Sequence, residues 1–128
     1  MTNGWISDNW ELVMPMRILD ANEHVHRVEA HIDTGFNGQF TLPHDFIELL
    51  GLKPTRPMAL TMANGETETF PTFLGTILWQ GRRSEVRIIE SESTPLIGTE
   101  LLWGSLLTAE MTDNGAVTIG ALPAGVSG

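Results

Sequence analysis

Apolar and polar residues alternate along much of this chain with a period of two, the pattern of strands that bury one face. In the segment from His24 to Ile32, the apolar side chains occupy the even positions from Val28 onward, so His31 and Asp33 fall on the opposite face. Extended patterns also cover residues 11–19, 40–42, 58–62, 73–79, 84–89, 106–111 and 116–119. The predicted fold class is therefore mainly β.

Helical spacing occurs in two short places. The first lies between Pro43, which suits a first helical turn, and Gly51, which suits a C-cap. The second covers residues 100–103, with Thr99 predicted as its N-cap and Gly104 as its end. The remaining predictions are a lead-in segment at residues 5–9, a loop at 53–57, a turn at 80–82 and a frayed tail at 122–128.

Turn residues and one proline punctuate the strands. Asn64-Gly65 predicts a type I′ hairpin, because both central positions of that turn need a positive φ angle. The polar residues 66–69 that follow predict a hairpin tip standing away from the core. Residues 112–115 give a second hairpin signal, and Pro15 places its strand at an edge or a bulge. Residues 73–79 carry apolar side chains at both parities, so this strand is expected to be buried on both faces.

Length and composition limit the class of protein. With 128 residues, the chain is predicted to form a single domain, 1–128. Seven Lys and Arg residues against sixteen Asp and Glu give a net charge of −9, which argues against nucleic acid or anionic membrane as a partner, because their phosphates would be repelled. The sequence has no cysteine, no N-terminal signal pattern and no apolar run near the roughly 18 residues of a membrane helix. The expected location is cytoplasmic.

Asp33-Thr34-Gly35 is the stretch that most suggests chemistry. An acidic residue there lies between an apolar strand and a glycine turn, a position suited to a catalytic carboxylate. The tripeptide alone has a second interpretation, since Asp before Gly commonly stabilises a turn with its own side chain. The sequence around it has to decide between the two.

The order of elements resembles that of the retropepsin-like aspartic proteases. Asp33-Thr34-Gly35 resembles their active-site turn, residues 63–66 resemble their flap tip, and residues 95–102 resemble their hydrophobic-Gly motif and following helix. Residues 33–43, together with 95–102, are similar more narrowly to single-domain proteases of this clan (clan AA) in bacteria and archaea. The resemblance covers about residues 11–120, and two motifs in the right order are harder to obtain by chance than one. It implies an acid-protease half-barrel with one or two short helices.

The resemblance also implies a site shared between two copies of the chain. An aspartic protease uses two carboxylates that share one proton, because like charges about 3 Å apart cannot both ionise. Since the chain has one Asp-Thr-Gly and no Asp-Ser-Gly, we expect a C2 homodimer in which each subunit supplies Asp33. Thr34 would hydrogen-bond across the dimer, Gly35 would let backbone N–H groups approach the carboxylates, and residues 106–119 would form much of the interface.

A polar hairpin and one histidine are expected to contact substrate. Ala63, Asn64, Gly65 and Glu66 would close over an extended peptide that binds as an added strand, with Gly65 as the hinge. His31 replaces the apolar residue that the family usually has two positions before the aspartate. It could line the pocket beside the scissile bond, or its ring nitrogens could bond neighbouring backbone groups.

Three functions follow as hypotheses. The first is a homodimeric aspartic endopeptidase that hydrolyses peptides or proteins without a cofactor or a metal. The second is a retropepsin-fold peptide-binding or dimerisation module with weak or no turnover. The third is a metal-binding β protein centred on His24 and His26, with His31 or His44 as a further ligand. That third ligand stands at no convincing spacing.

Overall fold

The computed structural model describes residues 2–124, which form a sheet of ten strands and two short helices. The strands are β1 (Thr2–Ile6), β2 (Leu12–Leu19), β3 (Val25–Ile32), β4 (Phe40–Leu42), β5 (Lys53–Thr61), β6 (Thr67–Trp79), β7 (Arg82–Glu90), β8 (Leu96–Ile97), β9 (Ser105–Ala109) and β10 (Ala116–Ala121). The helices are α1 (His44–Leu50) and α2 (Thr99–Leu102). The prediction of a mainly β protein with two short helices is confirmed, whereas residues 125–128 of the predicted tail lie outside the described residues.

The strands follow the order β5-β6-β7-β4-β8-β3-β2-β1-β10-β9 in the sheet. β6 also pairs with β2, with Ile18 opposite Ile77, and this contact closes the strands from β6 round to β2 into a ring. The buried apolar side chains form one cluster, which includes Met14, Met16, Ile18, Phe40, Leu42, Ile77, Ile88 and Ile97. Their removal from water is the main force that holds the ring together.

The alternation predicted for β3 is present in the structure. Ala30 is fully buried, and Val28 and Ile32 are partly buried against the core. The strand pairs with β2 in an antiparallel register that places Val13 opposite His31. Pro15 lies in the part of β2 that has no strand partner on the side away from β3, which is the edge-like position that its missing N–H favours.

Three predictions about strands are wrong. Residues 5 and 6 belong to β1 rather than to a lead-in segment, because β1 pairs with both β10 and β2. Residues 53–57 lie in β5 rather than in a loop, since β5 is an edge strand and a register shift between Thr55 and Met58 accommodates a proline. β6 is not buried on both faces, because Leu74 is 39% exposed.

The hairpin turns differ in type from the prediction. In residues 62–66, Gly65 alone has a positive φ angle, 86°, and its N–H bonds the carbonyl of Met62. This is the pattern of a type I turn followed by a glycine bulge, rather than a type I′ turn. Two consecutive positive φ angles, 50° and 80°, occur instead at Gln80 and Gly81 in the predicted 80–82 turn.

The predicted C-cap of the first helix is confirmed, whereas the predicted start of each helix is displaced by one residue. α1 begins at His44, with Pro43 in the N-cap position rather than in the first turn, and ends at Gly51, whose φ of 67° places it in the left-handed C-cap conformation. α2 begins at Thr99, with Gly98 in the N-cap position, so the predicted cap is displaced by one residue. No helix within residues 2–124 is long and apolar enough to cross a membrane.

Candidate active site

Asp33 lies immediately after the end of β3, beside the short strand β8. The His31 N–H donates to the Pro95 carbonyl at 2.8 Å, and the Asp33 N–H donates to the Ile97 carbonyl at 2.9 Å. Because alternate N–H groups of one strand bond the same neighbouring strand, the His31 and Asp33 side chains project from the same face of the sheet. The backbone therefore continues as a regular parallel ladder up to the carboxylate residue.

The Asp33 side chain organises the turn that follows it. Its Oδ1 accepts the Gly35 N–H at 2.9 Å, and its carbonyl accepts the Phe36 N–H at 3.1 Å. The hydrogen bond expected of a turn-stabilising aspartate is thus present. It engages one carboxylate oxygen, and a carboxylate has a second oxygen for other partners. Asp33 is partly buried, while Thr34 and Gly35 are exposed.

Residues 97–100 pack against the Asp33 turn and hydrogen-bond to its backbone. The Gly98 N–H donates to the Gln39 carbonyl at 3.0 Å, and the Thr99 N–H donates to the Phe36 carbonyl at 2.9 Å. Gly98 is buried, and a Cβ added there would lie 2.1 Å from the Gly38 carbonyl oxygen and 2.7 Å from that of Phe36. The backbone approach that this contact requires is possible only for glycine. The two motifs that are distant in sequence therefore meet in one rigid unit.

His31 has a partner that the sequence analysis missed. Its Nδ1 lies 2.8 Å from Oε2 of Glu11, and the His31 side chain is 23% exposed. Neither sequence interpretation included a carboxylate partner. The β2–β3 register contains the signal, because extending it by two residues beyond Val13 and His31 places Glu11 opposite Asp33. The face that carries Asp33 therefore also carries a histidine and a glutamate joined to each other.

The predicted flap residues form the tip of the β5–β6 hairpin. Ala63, Asn64, Gly65 and Glu66 are all exposed, and the Glu66 N–H donates to the Asn64 side-chain oxygen at 2.9 Å. The backbone hydrogen bonds of the tip stay within the hairpin, and none within residues 2–124 joins it to the Asp33 turn. Within one copy of the chain, the Asp33 turn and the hairpin tip therefore share no backbone hydrogen bond among the described residues.

The histidines proposed as metal ligands have carboxylate partners in two separate places. His26 Nε2 lies 2.8 Å from Asp20 Oδ2, and His24 Nδ1 lies 3.5 Å from the same oxygen. The hydrogen bond from His26 is the largest of the effects that lower the pKa of Asp20 to about 2. His44 instead contacts Glu90 at 2.9 Å and Glu48 at 3.1 Å.

These contacts do not assemble into a metal-binding geometry. The hydrogen bond to Glu90, followed by the charge of Glu48, raises the pKa of His44 above its ordinary value. No group of three or more His, Asp or Glu side chains in the described part of the chain is arranged to hold a metal ion. His24 and His26 instead contact Asp20, and His44 contacts Glu48 and Glu90.

A solved structure is similar to this chain. No protein-family model matches the chain, and no curated protein matches it. Among solved structures, it is similar to the solution structure of simian foamy virus (mac) protease, with a TM-score of 0.48 and 20% sequence identity over 69% of this chain and 90% of that chain. Similarity at this level carries no functional argument, so the function is inferred from the residues of the chain itself.

Proposed function

We propose that this protein is a retropepsin-like aspartic endopeptidase that acts as a homodimer. The observation that carries the proposal is the Asp33 turn, which β3 presents and which residues 97–100 hold through backbone contacts on both sides of Gly98. A site of this kind needs its carboxylate fixed on rigid elements, because small displacements of a reacting group cost much of the rate. The sequence motifs and the local geometry thus favour the same chemistry.

The second carboxylate in this proposal comes from a second copy of the chain. Two Asp33 side chains would meet at a two-fold axis and share one proton, so that one acts as general base on a water molecule and the other as general acid. Thr34 is exposed beside Asp33, where its hydroxyl can hydrogen-bond across the axis. Strands β9 and β10 would contribute to the interface. The monomer would then be inactive.

An extended peptide is the substrate that the surrounding elements suit. The residues of the 62–66 hairpin tip are exposed, so an added strand could reach the hairpin, and its closure would exclude water from the two carboxylates. His31 projects from the same face as Asp33 and would lie beside the scissile bond, with Glu11 held against it. We expect residues 1–128 to act as one cytoplasmic domain without a cofactor, a metal, nucleic acid or a membrane partner.

The test is cleavage of a broad peptide library by the purified dimer between about pH 4 and 7, the range in which such carboxylate pairs work. Asp33→Asn is expected to lower cleavage by roughly three orders of magnitude or more, because it removes both carboxylates of the shared site, one from each subunit. Asp45→Asn is the matched control, since Asp45 is an exposed residue in the first turn of α1, outside the proposed site and interface. Cleavage that survives in Asp33→Asn would contradict the proposal.

One observation favours a second candidate, a peptide-binding module with little turnover. The His31–Glu11 pair places polar side chains on the face of Asp33, where the family that the sequence resembles usually has an apolar residue in place of His31. Binding without hydrolysis would then use the same hairpin and the same groove. Calorimetry followed by mass spectrometry separates the two candidates, because a module returns its bound peptide intact after long incubation and an endopeptidase returns fragments.

A further inference from the structure

We infer that a cavity between β1, β2 and the β6–β7 turn binds a small molecule that carries a carboxylate or phosphate group. The cavity has a volume of about 480 Å³. Ligand sites in proteins commonly measure about 300–1,000 Å³, so it can hold a small organic anion. Its walls include Asn3, Pro15, Arg17, Arg27, Leu78 and Gln80.

An interruption in strand pairing accounts for the opening. β2 pairs with β1 at Leu12 and Val13, and with β6 at Ile18 and Leu19. Between these contacts β2 has no strand partner on the side away from β3, and Pro15 has no N–H to offer there. The cavity is thus a consequence of the sheet's topology rather than of one side-chain conformation.

Two arginines directly opposite each other give the cavity its charge. Arg17 and Arg27 are partners in the β2–β3 register, and like charges in this position repel at close range. No other pair of charged residues is directly opposed in the strand registers of residues 2–124. Acidic residues outnumber basic residues in this chain by sixteen to seven, so a direct pairing of two arginines runs against the overall composition.

The nearby carboxylates leave this positive charge largely uncompensated. Arg27 reaches Glu29 at 3.6 Å, a long contact between two exposed side chains, and Arg17 has no Asp or Glu oxygen within 4.0 Å among residues 2–124. An anion between the two guanidinium groups would relieve their repulsion and accept paired hydrogen bonds from each.

The other walls and the overall charge narrow the ligand class. Leu78 and Pro15 offer apolar surface, while Asn3 and Gln80 offer neutral carboxamides. These groups suit a molecule with one oxyanion and an adjoining carbon skeleton. The net charge of −9 disfavours a long polyanion such as nucleic acid, which would be repelled beyond the cavity. Asp33, just past the end of β3, lies six residues after Arg27 in extended chain, about 20 Å at the rise of a strand, so this site is distinct from the proposed active site.

The experiment titrates the full chain with benzoate and, separately, with phenyl phosphate, each against sodium chloride at the same ionic strength. Binding is followed by calorimetry and by the shift in melting temperature that a ligand of the folded state produces. At least one anion is expected to bind saturably, and Arg17→Gln is expected to weaken its affinity by about tenfold or more through loss of charge-assisted hydrogen bonds. Because the two probes share one carbon skeleton, their comparison identifies carboxylate or phosphate as the preferred group.

Three variants make the result decisive. Arg56→Gln, on edge strand β5 outside the cavity, removes the same charge and is expected to leave affinity unchanged. Arg17→Lys keeps the charge but loses the paired geometry, so its affinity should fall between those of the wild type and Arg17→Gln. Arg27→Gln provides the same test if Arg17→Gln does not fold. Failure of both anions to bind, or equal loss in Arg56→Gln, would overturn the inference whatever the outcome for peptide cleavage.

Discussion

The Asp33 turn and the 62–66 hairpin would form two walls of one site, but the chain holds them in different ways. Backbone hydrogen bonds tie the turn to residues 97–100, which are distant in sequence, and Gly98 is buried in the contact. The hairpin has its turn bonds within itself, and every residue from Thr61 to Thr69 is exposed. The turn is therefore held by the core of the protein, and the hairpin tip by its own short ladder.

This difference matches the two tasks that the proposed chemistry requires. A general acid and base must keep their positions throughout the reaction, whereas a cover must open to admit a peptide. Elements that move during function come from the least stable parts of a fold, where few contacts resist opening. The distribution of contacts thus supports the proposal that the turn positions the carboxylates and that the hairpin admits the substrate.

Glycine substitutions should separate the two regions most strongly. Gly98→Ala is expected to lower the free energy of unfolding by about 3 kcal/mol and to abolish cleavage, because its Cβ would overlap backbone oxygens. Gly65→Ala meets no atom within 4 Å and is expected to cost only about 1 kcal/mol, from its positive φ angle. Urea unfolding measures both values. Equal losses would remove the distinction between the two regions.

Hydrogen exchange should show the same contrast without a mutation. The N–H groups of Asp33, Gly98 and Thr99 are hydrogen-bonded inside the held unit and should exchange on the order of a hundredfold more slowly than those of Met62 and Gly65. All five groups are hydrogen-bonded, so the difference would report opening of the two regions rather than the presence of a bond. Similar protection at both places would show that the hairpin is as stable as the turn.

Side-chain hydrogen bonds should have smaller effects. The Thr99 hydroxyl lies 3.3 Å from the Phe36 carbonyl and 3.4 Å from Oδ1 of Asn37. Thr99→Val is therefore expected to cost about 1 kcal/mol of stability and to reduce cleavage, since it loosens the support of the Asp33 turn. Thr76→Val, at a partly buried position in β6 outside the proposed site and interface, is the matched control for the substitution and should leave cleavage unchanged. A reduction of cleavage in both variants would contradict this role for Thr99.

A pH measurement provides a reference outside both regions. The His26 hydrogen bond holds the pKa of Asp20 at about 2, below its ordinary 3.8. Asp20 therefore stabilises the fold above pH 3.8, and this contribution should be lost as the pH falls toward 2. Urea midpoints of the wild type and Asp20→Asn should differ at pH 6 and converge near pH 2. A constant difference across this range would contradict the assignment.

Local sequence patterns correctly predicted those features of the fold that depend on residues close together in the sequence. The period of two in β3 identified its core face because burial acts on alternate side chains, and Gly51 marked the end of α1 because its left-handed cap favours glycine. Single turn residues were less informative. Asn64-Gly65 favours a type I′ turn, yet Asn64 keeps a negative φ angle and the type I′ combination falls at Gln80-Gly81.

The remaining features depend on contacts between distant residues. Gly98 could be recognised as part of a motif, but its burial against Gly38 follows from β8 lying between β3 and β4. Glu11 lies before its strand and carries no motif, so its contact with His31 becomes visible only once the β2–β3 register is known. The same register creates the opposed pair of arginines. Sequence patterns therefore identified Asp33 as a candidate, and tertiary pairing determines which residues surround it.

The most direct test of the central claim mixes wild-type and Asp33→Asn subunits at constant total protein. If each site needs Asp33 from both subunits, only wild-type pairs are active, and an equal mixture should retain about one quarter of the wild-type cleavage rate after random exchange. Energy transfer between differently labelled subunits verifies that exchange is complete. A retained rate of about one half, which is proportional to the wild-type fraction, would show that each subunit acts alone and would contradict the shared site.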